Sequence, residues 1–347
     1  MGFARRAILH AAMLITAFAA SPAHAAGADA ALIEAARREG QVVWYSTLIV
    51  NQITRPLALA FEKKYPGIKV QYSRATSTDV ALKIASEARA GRIQADVFDG
   101  SNTVFPLGDA GLVETYLVEA ASAYPPELRD AKGTWTALNV YFMTAGYNTD
   151  LVKGADIPKT FDDLLDPKWA GKMAWTTDPT VNGAPGFIQN ILALKGEAAG
   201  MAYLKALAGQ KVVNIPASQR VVLDKVIAGE FPLGLMIFNH HATISAEQGA
   251  PVAWARLEPL VSNANLISAV KGAPHPNAAR LFLEYVLSVE GQKEVAKSLY
   301  LPAHPRVQAQ VAGLKPEAGG FKARIVTPDM LRAGEKGWTA IYQDLFR

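Results

Sequence analysis

Two kinds of pattern alternate along this chain. Short apolar runs end abruptly in polar clusters, and between them apolar residues recur every three or four positions. The clearest run covers 234–242, where Gly-Leu-Met-Ile-Phe leads into Asn239, His240 and His241. It predicts a buried strand whose polar tip forms a loop. In open α/β sheets ligands sit outside the carboxyl ends of strands. An amide and two imidazoles at that position therefore mark a candidate ligand site.

From the beginning, Asp29 predicts the cap of a helix over 30–39, with Gly40 as its stop. Strands follow at 42–45, 68–72 and 95–98, with helices at 57–64 and 78–90 between them. Polar loops at 46–48, 73–77 and 99–102 follow the three strands. This β-α-β-α-β order predicts right-handed crossovers and a parallel sheet. A long β-prone run at 135–147 is able to pass from one lobe into the next, and 161–169 predicts a short helix stopped by Pro167. A second α/β unit follows: a strand at 172–176, a Gly/Pro-containing loop at 177–186, helices at 187–195 and 197–207, and a strand at 212–215. A helix opened by residues 218–220 leads into the 234–242 stretch. Residues 251–258 predict a strand crossing back, and 266–270 a further one. Ala278, Leu281, Phe282 and Tyr285 share one face of an amphipathic helix, 290–299 is helical, and Trp338 and Tyr342 mark a C-terminal helix.

Length changes the picture first: 347 residues exceed one ordinary core and predict two lobes. The beginning is read as a processing signal. Arg5 and Arg6, an apolar stretch at 7–20 and Ala23-His24-Ala25 fit a signal peptide cleaved after Ala25. Its removal lowers the formal charge from +4 to +2. No lysine- or arginine-rich block exists, which disfavours nucleic acid as a partner. The chain has no cysteine, so disulfides, thiol nucleophiles and zinc–thiolate sites are excluded. With no second long apolar segment, the mature chain is expected in the periplasm and not spanning a membrane.

Candidate chemistry gathers at the strand ends. The expected solute-binding residues are Ser46, Thr47, Arg74, Ser101, Tyr141, Thr177, Gln219, Arg220, Asn239, His240 and His241. A guanidinium fork binds carboxylate or phosphate in bidentate fashion, which singles out Arg74 and Arg220. Helix N-termini at Thr78 and Ser218 would add backbone N–H groups for an anion. The alternative is a metal held by His240, His241 and Asp99, with Asp178 as a further ligand. Trp44 and Tyr45 read as core, and His275 and His304, beside prolines, as surface turns. There is no Gly-x-Ser-x-Gly elbow, phosphate-cradling Gly-Lys-Ser/Thr loop, His-Glu-x-x-His or dinucleotide fingerprint. The reading is a binding protein, not an enzyme, with no cofactor; a periplasmic sensor for the same class of solute is a further possibility.

Several stretches together resemble the bacterial extracellular solute-binding proteins of the ferric-iron-binding branch, the ligand-capturing subunits of ABC importers. They are Val43-Trp44-Tyr45-Ser46, Phe61 through Pro66-Gly67-Ile68-Lys69-Val70, and Ala95-Asp96-Val97-Phe98. Pro167-Lys168-Trp169, Lys195-Gly196-Glu197, Gly229-Glu230 and Pro276-Asn277-Ala278-Ala279 with Phe282 and Gly291-Gln292 continue the match. The resemblance implies a type II periplasmic binding protein, two α/β lobes joined by two hinge strands. Lobe 1 would take 26–139 and 255–305, lobe 2 140–254, and a C-terminal helical segment 306–347 would pack on them, with hinges near 138–141 and 254–258. It also implies a monomer that closes on its solute and presents it to the transmembrane subunits of a permease. Iron-binding members carry two consecutive tyrosines where this chain has His240 and His241. Phenolates suit hard ferric iron, whereas imidazole prefers borderline metals. The expectation is therefore a small anionic organic solute, with ferric iron or a metal chelate as the alternative.

Overall fold

The computed structural model describes residues 29–347, so the expected signal peptide lies outside the described residues. In chain order the first unit comprises α1 (Ala30–Glu39), β1 (Gln41–Ser46), α2 (Arg55–Lys64), β2 (Lys69–Arg74), α3 (Ser77–Arg89), β3 (Val97–Gly100) and α4 (Val104–Asp109). The long β4 (Thr136–Asn148) leads to β5 (Met173–Thr176), α5 (Ala184–Lys195), α6 (Glu197–Gly209) and β6 (Val213–Ile215). Then come α7 (Gln219–Ile227), β7 (Leu233–Phe238), α8 (Asn239–Glu247), β8 (Val252–Trp254) and β9 (Leu260–Ala269). The chain ends through α9 (Pro276–Leu287), α10 (Val289–Lys297), β10 (Leu301–Pro302), α11 (Pro316–Gly319), β11 (Ala323–Ile325) and α12 (Pro328–Phe346).

The strands run β2-β1-β3-β9-β4-β7-β5-β6 across one continuous sheet. Both ends are parallel: β1 pairs with β2 and β3, and β5 with β6 and β7. Between them β9 runs antiparallel to both β3 and β4, and β4 antiparallel to β7. Each parallel end follows from its own βαβ crossovers, and the two long antiparallel strands join them. Beside the β4–β7 register shift, Met236 takes φ 60°. On β4, Gly146 pairs with Gly234 just past the shift, and a Cβ there would lie 3.1 Å from Ile237. That bend sets the direction in which β7 delivers Phe238.

Apolar side chains condense into two main cores. The first is built by α1–α4, β1–β3, α9 and α10. There Trp44 and Phe61 each lie 5.2 Å from Phe282, an aromatic contact of the kind that adds about 0.5–1.5 kcal/mol beyond area burial. The second surrounds Trp175, whose indole meets Phe187, Tyr342 and Phe346 edge-on. Here α12 docks, with the Tyr342 hydroxyl donating to Asn214 Oδ1 at 2.7 Å. Ala255, Leu257 and Val261 pack in the second core and Leu266 in the first, so the return crossing lies within β9 itself.

Several local expectations change. The 161–169 segment forms 3-10 turns, not an α-helix. The cap of α3 lies two residues before the expected Thr78: Thr76 supplies it by accepting from the Asp79 N–H at 3.2 Å. The expected loop at Asn239, His240 and His241 is the first turn of α8, which starts directly from the strand residue Phe238. His304 is no surface turn: it is 1 % exposed, and Tyr124 packs against it at 5.1 Å. His275 is engaged as well, with Nδ1 2.9 Å from the buried Asp96 carboxylate.

Candidate functional site

Six parallel strands end around one cleft of about 670 Å³. Thr47 follows β1, Arg74 ends β2 and Ser101 follows β3 on one wall; Thr176 ends β5, Pro216 follows β6 and Phe238 ends β7 on the other. This is the position the strand-end rule assigns to ligands in α/β sheets. Tyr141 from β4, together with Tyr300, completes the lining.

The cleft is rich in donors. Arg74 is exposed and uses only its Nε, which donates to the Thr47 carbonyl at 3.4 Å. Across the gap Arg220 is anchored from behind: one Nη donates to Ser245 Oγ at 3.0 Å and the other to Asp224 at 2.6 Å. A guanidinium has five N–H donors, so both arginines keep most of theirs. α3 and α7 also begin at the cleft, and the side chain of Ser218, ahead of α7, makes no capping bond. A helix N-terminus left open in this way favours an anion.

The lining carboxylates are muted. Asp79 accepts from Thr76 Oγ1 at 2.8 Å. Burial pushes Asp178 above the usual carboxylate range, against the hydrogen bonds from Thr180 and Gln219 that pull it down. Its turn is tight, since a Cβ on Gly183 would lie 2.2 Å from the Asp178 carbonyl oxygen.

Of the expected residues, Thr47, Arg74, Ser101, Tyr141, Thr177, Gln219, Arg220 and His241 all line the cleft. Ser46, Asn239 and His240 do not. Ser46 is fully buried, and its Oγ accepts from the Leu48 N–H at 3.1 Å. Asn239 is buried and donates to the Leu314 carbonyl at 2.9 Å, tying α8 to the C-terminal segment. His240 lies behind the cleft wall, stacked on Tyr141 at 5.9 Å and 4.7 Å from Tyr300. Neither of its ring nitrogens has a partner. Burial alone pulls its pKa down to about 3. His241 is likewise held well below its ordinary value, first by burial, then by the adjacent His240 and by the charges of Arg220 and Arg74. Burial thus favours the neutral form of both imidazoles.

The alternative metal trio does not assemble. Asp99 points into the first core, where it accepts from Trp44 Nε1 at 2.7 Å, Asn265 Nδ2 at 2.9 Å and both the N–H and hydroxyl of Thr47. Its role is to hold the Thr47 loop. Among the described residues no group of three or more His, Asp or Glu side chains converges in a metal-holding arrangement.

Asn182 and Tyr300 were not expected. Asn182 reaches across the cleft, donating to Ser101 Oγ at 3.1 Å, while its carbonyl accepts from Gln219 at 2.7 Å. Tyr300 places its hydroxyl 3.1 Å from His241 Nε2. Asn182 stands in the Gly/Pro loop already marked as a strand-end loop, so that loop was the available signal; for Tyr300 there was none nearby in sequence.

This sheet order and strand-end cleft define a type II periplasmic binding protein, the architecture shared by its structural neighbours. The chain belongs to the family of bacterial extracellular solute-binding proteins, which matches residues 57–318. It is similar to the major ferric iron-binding protein of Neisseria meningitidis serogroup B, at 28 % identity over 70 % of this chain and 75 % of the relative. It is also similar, at 25 % identity over 67 % of this chain and 69 % of the relative, to a periplasmic protein of Salmonella paratyphi A provisionally named for 2-aminoethylphosphonate binding. Among solved structures, the periplasmic binding protein AfuA of Actinobacillus pleuropneumoniae, with fructose-6-phosphate bound, superposes with a TM-score of 0.75 at 25 % identity, over 88 % of this chain and 98 % of that one. The protein is a periplasmic solute-binding component of an ABC importer, with a small-molecule ligand and a permease as partners, and not an enzyme. No helix among the described residues is long and apolar enough to cross a membrane.

Proposed function

We propose that this protein captures a small anionic organic solute, a carboxylate, phosphonate or phosphate ester, in the cleft between two lobes. The observation that carries this reading is the facing pair Arg74 and Arg220, each beside a helix that begins at the cleft. Charge-assisted hydrogen bonds from two guanidinium groups, one per wall, favour a closed state that grips the anion from both sides. Thr47, Ser101, Thr177, Gln219 and the neutral His241 supply uncharged hydrogen-bonding groups around it. The two cores favour lobes built from 29–139 with 266–305 and from 140–261, with 306–347 packed onto them. The working unit is a monomer that hands its solute to the permease.

Metal capture is the second reading, because a relative carries a ferric-iron name. A thermal-shift panel separates the two. It would contain organic acids, phosphonates, sugar phosphates, and metals with and without a carbonate-type anion. A true ligand at about 100 times its dissociation constant adds about 2.7 kcal/mol of stability. Stabilisation by organic anions alone is expected. Stabilisation by metal, with none from organic anions, would overturn the proposal.

A further inference from the structure

The tip of the loop after β3 is gripped from both sides. Its two residues point apart. Ser101 Oγ accepts from Asn182 Nδ2 at 3.1 Å inside the cleft. Asn102 Nδ2 donates to Glu335 Oε1 at 3.3 Å outside it, in an open groove of about 360 Å³ beside α12. The tip itself is stiff. Gly100 takes φ 152°, and a Cβ there would overlap Thr103 Oγ1, which lies 3.3 Å from both the Ser77 and the Asp99 carbonyl oxygens.

Both gripping groups are tied to the second core. α12 is fixed there through Leu331 and Tyr342, and Val181 and Ala184, either side of Asn182, pack in the same core. Thr339 Oγ1 donates to the Pro179 carbonyl at 3.3 Å, which joins α12 to the loop that carries Asn182. That side chain is steadied by Asn263 Nδ2, which donates to its Oδ1 at 2.9 Å. The gripped tip belongs to the other side: it runs into α4, whose Val104 and Leu107 pack in the first core. One turn before Glu335, Arg332 also reaches α4, 5.3 Å from the Phe105 ring and 3.6 Å from Asp109. That pair is exposed and adds little. Asn102, Glu335 and Arg332 all stand outside the lining of the front cleft.

We propose that Asn182 and Glu335 form a clasp on the Ser101-Asn102 tip that holds the two lobes shut, so that α12 tunes solute affinity from outside the cleft. This rests on the closing motion of two lobes proposed above, and on no particular solute. The clasp is made wholly of protein groups, so it stabilises the closed state whatever the cleft binds. A solute that prefers the closed state then meets a larger competent fraction and binds more tightly. A hydrogen bond of ordinary net strength shifts such a balance about 2- to 10-fold. Asn102 and Glu335 act here as positioning residues, because neither faces the solute.

The test is a distance measurement on the whole protein with no solute added. The chain has no cysteine, so two introduced thiols take spin labels at those positions alone. Leu82 on α3 and Val221 on α7 are exposed, and both helices begin at the cleft from opposite walls. In the labelled Leu82→Cys, Val221→Cys parent, double electron–electron resonance should show a dominant short distance. Adding Asn102→Ala, Asn182→Ala and Glu335→Ala together should raise the ratio of long to short distances at least about tenfold. Glu335→Ala alone should raise it about 2- to 10-fold, which keeps the test decisive if the triple variant folds poorly. Glu335→Gln keeps an oxygen for Asn102 and should match the parent. A dominant long distance in the parent, an unchanged ratio in the alanine variants, or a rise in Glu335→Gln equal to that in Glu335→Ala would each overturn the clasp. Because nothing is added to the cleft, a wrong choice of solute class leaves these distances untouched and shows only in the thermal-shift panel.

Discussion

Phenylalanine at position 240 should make the protein more resistant to acid. His240 is fully buried among Tyr141, Phe238, His241 and Tyr300, with both ring nitrogens unpaired. Its pKa in the folded protein, about 3, lies below the value near 6.5 expected in the unfolded chain. Below pH 6.5 the unfolded chain therefore takes up a proton that the folded protein refuses, and stability falls as pH falls, down to about pH 3. Well inside that window each pH unit costs about 1.4 kcal/mol, and the whole fall from pH 7.5 to 4.5 costs about 2.7 kcal/mol through this one ring. Against a typical total of about 5–15 kcal/mol that is a large share. Asp96, Asp99 and Asp178, raised by burial, act in the opposite sense, but they are common to both proteins and cancel in the difference. At pH 7.5 the substitution removes two unsatisfied nitrogens and adds ring volume, opposing effects of about 1–3 kcal/mol each. The diagnostic quantity is therefore the change with pH. Urea unfolding at pH 7.5, 6.5, 5.5 and 4.5, followed by tryptophan fluorescence, should show His240→Phe gaining about 2.7 kcal/mol on the native protein across the series. Parallel pH profiles would refute this: the imidazole would then be solvated or paired.

Arg220→Ala and Arg74→Ala should each weaken the anionic solute by about 1.5–3 kcal/mol, roughly 10- to 150-fold, in calorimetric titration. Unchanged affinity would remove that residue from the site. Gly183→Ala should open the 178–183 turn, since the new Cβ meets the Asp178 carbonyl oxygen at 2.2 Å; a loss of about 1–3 kcal/mol in urea unfolding and weaker solute binding are expected together. Glu39 accepts from the Asn277 and Ala278 N–H groups at the start of α9 and from Asn277 Nδ2. Glu39→Ala should cost about 1–3 kcal/mol in the same assay without altering solute affinity; an unchanged midpoint would show that this staple contributes nothing.

Most of the elements were legible because each writes its own period. The helix 30–39 and the helix carrying Ala278, Leu281, Phe282 and Tyr285 repeat with the spacing of the face they bury, and Gly40 and Pro276 mark their ends. The return crossing was harder to locate. Residues 251–258 read as a strand crossing back, yet the side chains change core further on, within the ten residues of β9. Both sides of β9 are buried, so its pattern carries no alternation to separate it from a helix segment.

The site was legible only where a residue's direction follows from its own element. Thr47, Arg74, Ser101 and Thr177 sit at or just beyond strand ends, so any parallel sheet brings them to the rim. His240 and His241 show the opposite case. Read as a loop, both were free to reach a solute. In a helix, neighbours point about 100° apart, so two adjacent side chains cannot share one wall. One of them must turn inward, and Phe238 and Tyr141 decide which: their rings accept His240, leaving His241 to the cleft. What hid this in the sequence was the missing cap. Phe238 precedes α8 with no hydroxyl or carboxylate to announce a helix, so strand passes to helix without a turn residue between them. A doublet of identical polar residues is therefore best read as one candidate and one core residue until its element is known.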